Sequence, residues 1–163
     1  MFDLIDKRGG EMSNANRELV KLWFEQVWNK GDESVIDRLM SPTATVHGLG
    51  AADDKPVSGP EGFKTFFRAF RTAFPDIRIR ILRTICDGDM VACHCAVTAT
   101  HTGGGLGVAP SKAPIEIYGV SIARIENGQI QEGWNCYDFL SLYQQIGLLP
   151  KLAEKPGEAP PRA

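Results

Sequence analysis

The sequence predicts a single α+β domain in which helices cover one face of a strongly curved, mixed or antiparallel sheet and enclose a hydrophobic pocket. Three observations carry this expectation. Apolar residues recur at helical spacing through the first part of the chain, the pattern switches to strict alternation after Pro75, and turn signals cut the alternating half into long hairpins. At 163 residues the chain fits one domain and can bury a sizeable core without staples.

The first helix is predicted from Leu19, Leu22, Trp23, Gln26 and Val27, spaced i, i+3, i+4, with Phe24 and Trp28 widening the stripe. Gly31-Asp32 ends it and caps a short second helix carrying Val35, Ile36, Leu39 and Met40. A third helix is announced by Ser58 and Glu61 at capping-box spacing with Pro60 in the first turn. Its Phe63, Phe66, Phe67, Phe70 and Phe74 fall on one side, where flat rings fill a core or line a cavity equally well.

After Pro75, Ile77, Ile79, Ile81 and Ile85 alternate with Arg78, Arg80 and Thr84, as in a half-buried strand. Arg83 breaks the alternation, and a β-bulge explains it better than a buried unpaired guanidinium. Asp87-Gly88 turns the chain into the strand at 90–101, and Asn127-Gly128 joins the strand at 114–125 to the one at 129–137. A last helix follows Asp138 with Leu140, Tyr143 and Ile146 on one side, Gly147 at its end and Pro150 beyond. The predicted order is α-α-β-α-β-β-β-β-α. Residues 1–12 are expected to be a flexible N-terminal extension, 13–150 the domain, and 151–163, rich in Pro, Glu and Ala, a disordered tail.

Charge is nearly balanced, with 18 Lys plus Arg against 20 Asp plus Glu, and no basic run tracks a phosphate backbone, so nucleic acid is not an expected partner. No stretch is long and apolar enough to span a membrane, and the first residues lack the apolar run of a signal peptide, so a cytoplasmic location is expected. Cys86, Cys93, Cys95 and Cys136 lie in strand-like segments, which suits reduced thiols. Cys93-His94-Cys95 lacks the spacing of a zinc site, so no metal is expected.

Candidate chemistry gathers in Ile130 to Asp138, where Glu132, Trp134, Cys136 and Asp138 share one face of a strand. If that face is concave, a partly apolar wall raises the pKa of Asp138 toward that of a useful general base. The same residue opens the final helix, so its oxygens can equally serve as an N-cap. His47 lies in a short strand-like segment, while His94 and His101 fall on opposite parities of one strand. Each of these, and Tyr118, reads either as a hydrogen-bond donor in a site or as an ordinary polar neighbour. The glycine-rich stretch at 102–112 is a hairpin loop, either a flap over a pocket or a plain connection; no GK[ST] closes it as a phosphate loop.

Taken in order, His47, GPEGFKTFFRAFRTAFPDIRIRI, the run Thr100-His101-Thr102-Gly103, LGVAPSKAPIEIYGVSIARIENGQI and EGWNCYDFLSLYQQIGLLP resemble the SnoaL-like polyketide cyclase family, also called ester cyclase-like, from about Arg17 to Pro150. The resemblance implies the cone-shaped nuclear transport factor 2-like fold and cofactor-free ring closure by intramolecular aldol condensation of a polyketide ester. It carries Asp138 over as the acid/base residue of a Trp134-x-x-x-Asp138 ending and His47 as a further catalytic or substrate-contacting residue. His94 and Cys95 depart from the Arg and Trp that many relatives carry there.

Within this reading Asp138 deprotonates a carbon between two carbonyls, and His47, His94 or Tyr118 steadies the enolate. Trp23, Phe63, Phe67 and Trp134 form the apolar substrate wall, with His94 and Tyr118 as its polar contacts. A limonene-1,2-epoxide-hydrolase-like enzyme needs an Asp-Arg-Asp set, and residues 90–101 hold neither type. The same pocket would also suit a steroid-isomerase-like enzyme or a non-catalytic protein that binds lipophilic ligands. The expected partners are a small hydrophobic molecule and a second copy of the chain, docked through the outer sheet face.

Overall fold

The computed structural model describes residues 2–49 and 55–150, with side chains from Met12 onward. Helix α1 (Phe2–Leu22) runs into a π-helical segment, Trp23–Asn29, and is followed by α2 (Ser34–Leu39), β1 (Met40–His47), β2 (Val57–Ser58), α3 (Gly59–Ala73), β3 (Arg78–Asp87), β4 (Met90–Thr100), β5 (Pro114–Glu126), β6 (Gln129–Tyr137) and α4 (Phe139–Gln145). The six strands form one sheet in the order β2-β1-β6-β5-β4-β3. Among the described residues the β1–β6 pair alone is parallel and the other neighbours are antiparallel, so the sheet is mixed as expected. The α1 backbone is helical from Phe2, upstream of the start expected at residue 13. The expected tail, 151–163, lies outside the described residues.

The π-helical segment changes which residues the first helix buries. A wider turn, with Lys30 N–H bonding Glu25 O five residues back, brings Trp23, Phe24, Val27 and Trp28 inward together. Leu22, which α-helical spacing assigns to the buried stripe, is consequently exposed. Arg71 holds the end of this segment through the Trp28 carbonyl, and Asn29 clips it to edge strand β3 with bonds of 2.7 and 3.0 Å to the N–H and C=O of Ile79.

Helix α3 has Pro in its first turn and Ser58 at its N-cap, where Ser58 also closes β2 opposite Thr45, but the expected capping box does not form: the Ser58 side chain makes no cap bond. Glu61 instead meets Lys64 at 2.6 Å. Phe63, Phe67, Phe70 and Phe74 are buried and Phe66 partly so, giving a ladder of tilted and edge-on ring pairs with Trp23 and Trp28. On α4 the buried pair is Leu142 and Ile146, spaced i, i+4, and Leu140 is exposed.

Two bulges set the faces of the sheet. In β3 the register slips between Ile81, opposite Cys95, and Arg83, opposite His94, so Leu82 is extra and the bulge expected at this point is present. Alternation inverts beyond it, which turns Ile85 outward at 71 % exposure instead of into the core. In β6 the slip falls between Ile130, opposite Ile125, and Glu132, opposite Arg124, leaving Gln131 extra. Ile130 is buried inside, and Glu132, Trp134 and Cys136 then face away from the helices. The Asn127-Gly128 turn between β5 and β6 has positive φ at both residues, 52° and 73°, as a type I′ hairpin turn requires.

Candidate active site: an apolar cavity with one polar edge

The helices and the inner sheet face enclose a cavity of about 100 Å³. Trp23, Phe24 and Trp28 of the π-helical segment form one wall and Phe63, Phe66, Phe70 and Phe74 another; the sheet contributes residues such as Val46, Val91, Val97, Ile115 and Ile117. Among the described residues, no Asp, Glu, His, Lys or Arg lines the cavity. Apart from the two indole rings, the polar side chains on the wall are Ser121 of β5 and Asn135 and Tyr137 of β6.

These three form a hydrogen-bonded row. Asn135 Nδ2 donates to the His47 carbonyl at 3.1 Å, Ser121 Oγ donates to Asn135 Oδ1 at 2.8 Å, and Ser121 Oγ and the Tyr137 hydroxyl lie 3.0 Å apart. The Tyr137 ring fits because Gly119 stands directly opposite it on β5: a Cβ there would come within 2.3 Å of the ring. Burial, reinforced by the neighbouring Cys95 thiol, pushes the Tyr137 hydroxyl far up, so it stays protonated across the working pH range. Cys95 itself is pushed up to about 11 by burial.

The expected site residues divide between the two faces of the sheet. Trp23 and Phe63 lie in the cavity wall. Phe67 is buried behind it, its ring 5.4 Å from that of Trp28. Trp134 is on the outer face, because the Gln131 bulge inverts the parity that buried Ile130 would otherwise impose. His47 joins it there, stacked on Trp134 with ring centres 5.7 Å apart and bonded through Nε2 to Glu132 at 2.9 Å. Glu132 in turn faces Arg124 at 3.7 Å. His94 and Tyr118 are outer-face neighbours with rings 6.3 Å apart, and the Tyr118 hydroxyl donates to Glu116. His47, His94, Tyr118 and Trp134 are therefore gathered on the sheet's exterior, away from Trp23 and Phe63.

Asp138 sits at the junction of β6 and α4, between the lining residues Tyr137 and Phe139 but not in the lining itself. Its Oδ1 accepts from Ser141 N–H at 2.9 Å and its Oδ2 from Ser141 Oγ at 2.6 Å, so it caps α4 with both oxygens. The Ser141 bonds lower its pKa, opposite to the rise expected for a desolvated wall position, because the carboxylate is exposed and met by donors. His101, on the inner parity of β4, is fully buried against Phe74, and its Nδ1 accepts from the Ser111 N–H at 3.2 Å. The loop that follows is docked on α3: Thr102 and Gly103 both donate to the Ala73 carbonyl.

Ser121, Asn135 and Tyr137 escaped sequence reasoning. The available signal was Gly133-x-Asn135-x-Tyr137, the other parity of the same strand, facing Gly119-x-Ser121 across the hairpin.

The sequence matches the family model "SnoaL-like polyketide cyclase" over residues 18–146. The chain belongs to this family. Among solved structures, it is similar to IdmH, a candidate polyketide cyclase from Streptomyces antibioticus, with 26% identity, a TM-score of 0.70, and coverage of 81% of this chain and 98% of that one. AclR, a candidate hydroxylase from Streptomyces galilaeus, is 27% identical with a TM-score of 0.73 and 87% coverage of both chains. A Catenulispora acidiphila protein of ketosteroid isomerase-like fold, solved with trimethylamine, shares the fold at 16% identity and a TM-score of 0.68, over 84% of this chain and 98% of that one. No curated protein matches the sequence. The family's fold, the nuclear transport factor 2-like cone, is the one described above. Solved structures of nearly equal similarity carry different reaction names, so the reaction has to be argued from the cavity.

Proposed function

We propose that the chain is a cofactor-free cyclase that takes a small hydrophobic carbonyl compound into the cavity and closes a ring by enolate addition. The observation that supports this most is the apolar cavity with a single hydrogen-bonding edge, Ser121, Asn135 and Tyr137. Such a wall excludes water and folds the substrate, while the polar edge fixes its orientation. An empty cavity of about 100 Å³ is smaller than the ~150 Å³ that holds benzene in a dry protein interior. Even a substrate the size of one six-membered ring therefore requires the aromatic wall to move.

In this reaction a carboxylate takes the proton from a carbon between two carbonyls, and the enolate carbon bonds to a further carbonyl carbon. The alkoxide so formed recovers the proton, giving the aldol. Asp138, flanked in sequence by two lining residues, is the carboxylate assigned this role; to reach the carbon it must release Ser141 and turn toward the cavity, and its lowered pKa makes it a weak base fit only for such acidic carbons. Mixing the protein with a cyclisable β-dicarbonyl ester and following product by mass spectrometry tests the reading. Turnover by the wild-type chain, reduced roughly a hundredfold in Asp138→Asn, is expected; full activity in that variant excludes Asp138 as the base.

The described lining residues include no carboxylate or imidazole, and this favours a second reading, a binding protein for lipophilic ligands. It predicts saturable uptake of the same ester without chemical change.

A further inference from the structure

The direction of each hydrogen bond at the polar edge follows from counting protons. Asn135 donates through Nδ2 to the His47 carbonyl, so its Oδ1 is the acceptor for Ser121 Oγ. A serine hydroxyl has one proton, and that of Ser121 is committed to Asn135. In the 3.0 Å contact between Ser121 Oγ and Tyr137 the phenol is then the donor, with the Cys95 sulfur, whose own proton goes to the Cys93 carbonyl, as a second and weaker acceptor beside it. The row runs one way, from Tyr137 to a backbone carbonyl. The Tyr137 proton alone can change acceptor without disturbing the rest, because turning it from Ser121 to a ligand leaves Ser121, Asn135 and the His47 carbonyl paired.

Building on the cavity reading above, we propose that Tyr137 grips the ligand's carbonyl or enolate oxygen, so that the site selects hydrophobic molecules ending in a hydrogen-bond acceptor. Ser121 and Asn135 are positioning residues: they present one acceptor to the phenol at rest and keep its hydroxyl at the cavity edge. Gly119 completes the arrangement by leaving room for the ring. The phenol's high pKa keeps it a donor, suited to steadying an oxyanion and unsuited to acting as a base. Tyr118, though also a tyrosine of this sheet, is outside and bonded to Glu116.

Two small probes of nearly equal shape test this, cyclopentanone and methylenecyclopentane, which differ by C=O against C=CH₂. Binding to the full chain is read by NMR titration, and the bound ketone's carbonyl stretch by infrared difference spectroscopy. Wild type is expected to bind the ketone about tenfold more tightly than the alkene, the scale of one hydrogen bond to a buried donor, with the carbonyl stretch lowered. Tyr137→Phe is expected to lose the preference and the lowered stretch while binding the alkene as wild type does, which also shows that its cavity is intact. Equal binding of both probes with an unshifted carbonyl overturns the Tyr137 assignment and leaves the cavity reading standing. Loss of both probes in Tyr137→Phe makes Tyr137 a packing residue and likewise overturns the assignment. If wild type binds neither probe, the cavity reading fails and the assignment falls with it.

Discussion

At the residue scale the site depends on which of two neighbouring side chains is inside. Tyr137 points into the cavity and Asp138, the next residue, turns away to cap α4. The capping role of Asp138 was legible in its position before the helix, whereas the raised pKa was not, because it presumes a desolvated wall that the Ser141 donors and solvent replace. The linkage has a definite sign. A carboxylate lowered in the folded state stabilises the fold above its unfolded value of ~3.9 and loses that contribution as pH falls through the folded value. Asp138→Asn should therefore flatten the acid limb of a stability–pH curve, measured by thermal unfolding, while leaving stability near pH 7 almost unchanged; an unaltered acid limb would mean the Ser141 bonds contribute nothing. Tyr137 behaves oppositely. Its raised pKa means that above ~10 the unfolded chain ionises while the fold does not, so stability falls with rising pH and spectrophotometric titration should find one of the three tyrosines ionising only on unfolding. Three tyrosines titrating reversibly in the folded protein would contradict the buried position.

At the element scale, patterning located the strands, because hairpin turns and alternation are local signals, but the faces they present depend on two bulges. The Leu82 bulge announced itself through Arg83, a charge in an apolar row, since leaving it inside would bury an unpaired guanidinium. The Gln131 bulge had no such marker, because a carboxylate at Glu132 beside Trp134 reads as pocket chemistry as readily as a surface charge, and so alternation alone puts Trp134 on the wrong side of the sheet. The π-helical segment was equally silent: a wide turn differs from an α-turn only in which apolar residues end up inside. Deleting Leu82 tests the reasoning directly. With the extra residue gone, Arg83 follows Ile81 directly and keeps its outward place opposite His94, so the deletion should retain cooperative thermal unfolding near the wild-type midpoint; loss of that transition would contradict the reading of Leu82 as the extra residue.

At the scale of the whole molecule, helices α1, α3 and α4 cover one sheet face, and among the described residues no helix covers the other. That outer face exposes Ile85 at 71 %, Tyr118 at 50 % and Val120 at 37 %, with Arg80 and Arg83 toward the β3 edge and Glu116 and Glu132 on β5 and β6. Two copies related by a two-fold axis would set each basic side against the other's acidic side and remove the apolar patch from water. Tyr137 plays no part in it, because its ring lies inside. Sedimentation at micromolar concentration should give a dimer for wild type and a monomer for Val120→Glu; a monomeric wild type would contradict the arrangement. The central claim, that the enclosed cavity is where the substrate reacts, is tested most directly by filling it. Ala123 of β5 lines the cavity opposite Gly133, and Ala123→Leu adds three carbons to a space of about 100 Å³. Measured as turnover of the β-dicarbonyl ester, activity should fall by more than about tenfold while the melting temperature holds, since an empty cavity tolerates added methylenes that a packed core would not. Undiminished turnover in the filled protein would place the chemistry elsewhere.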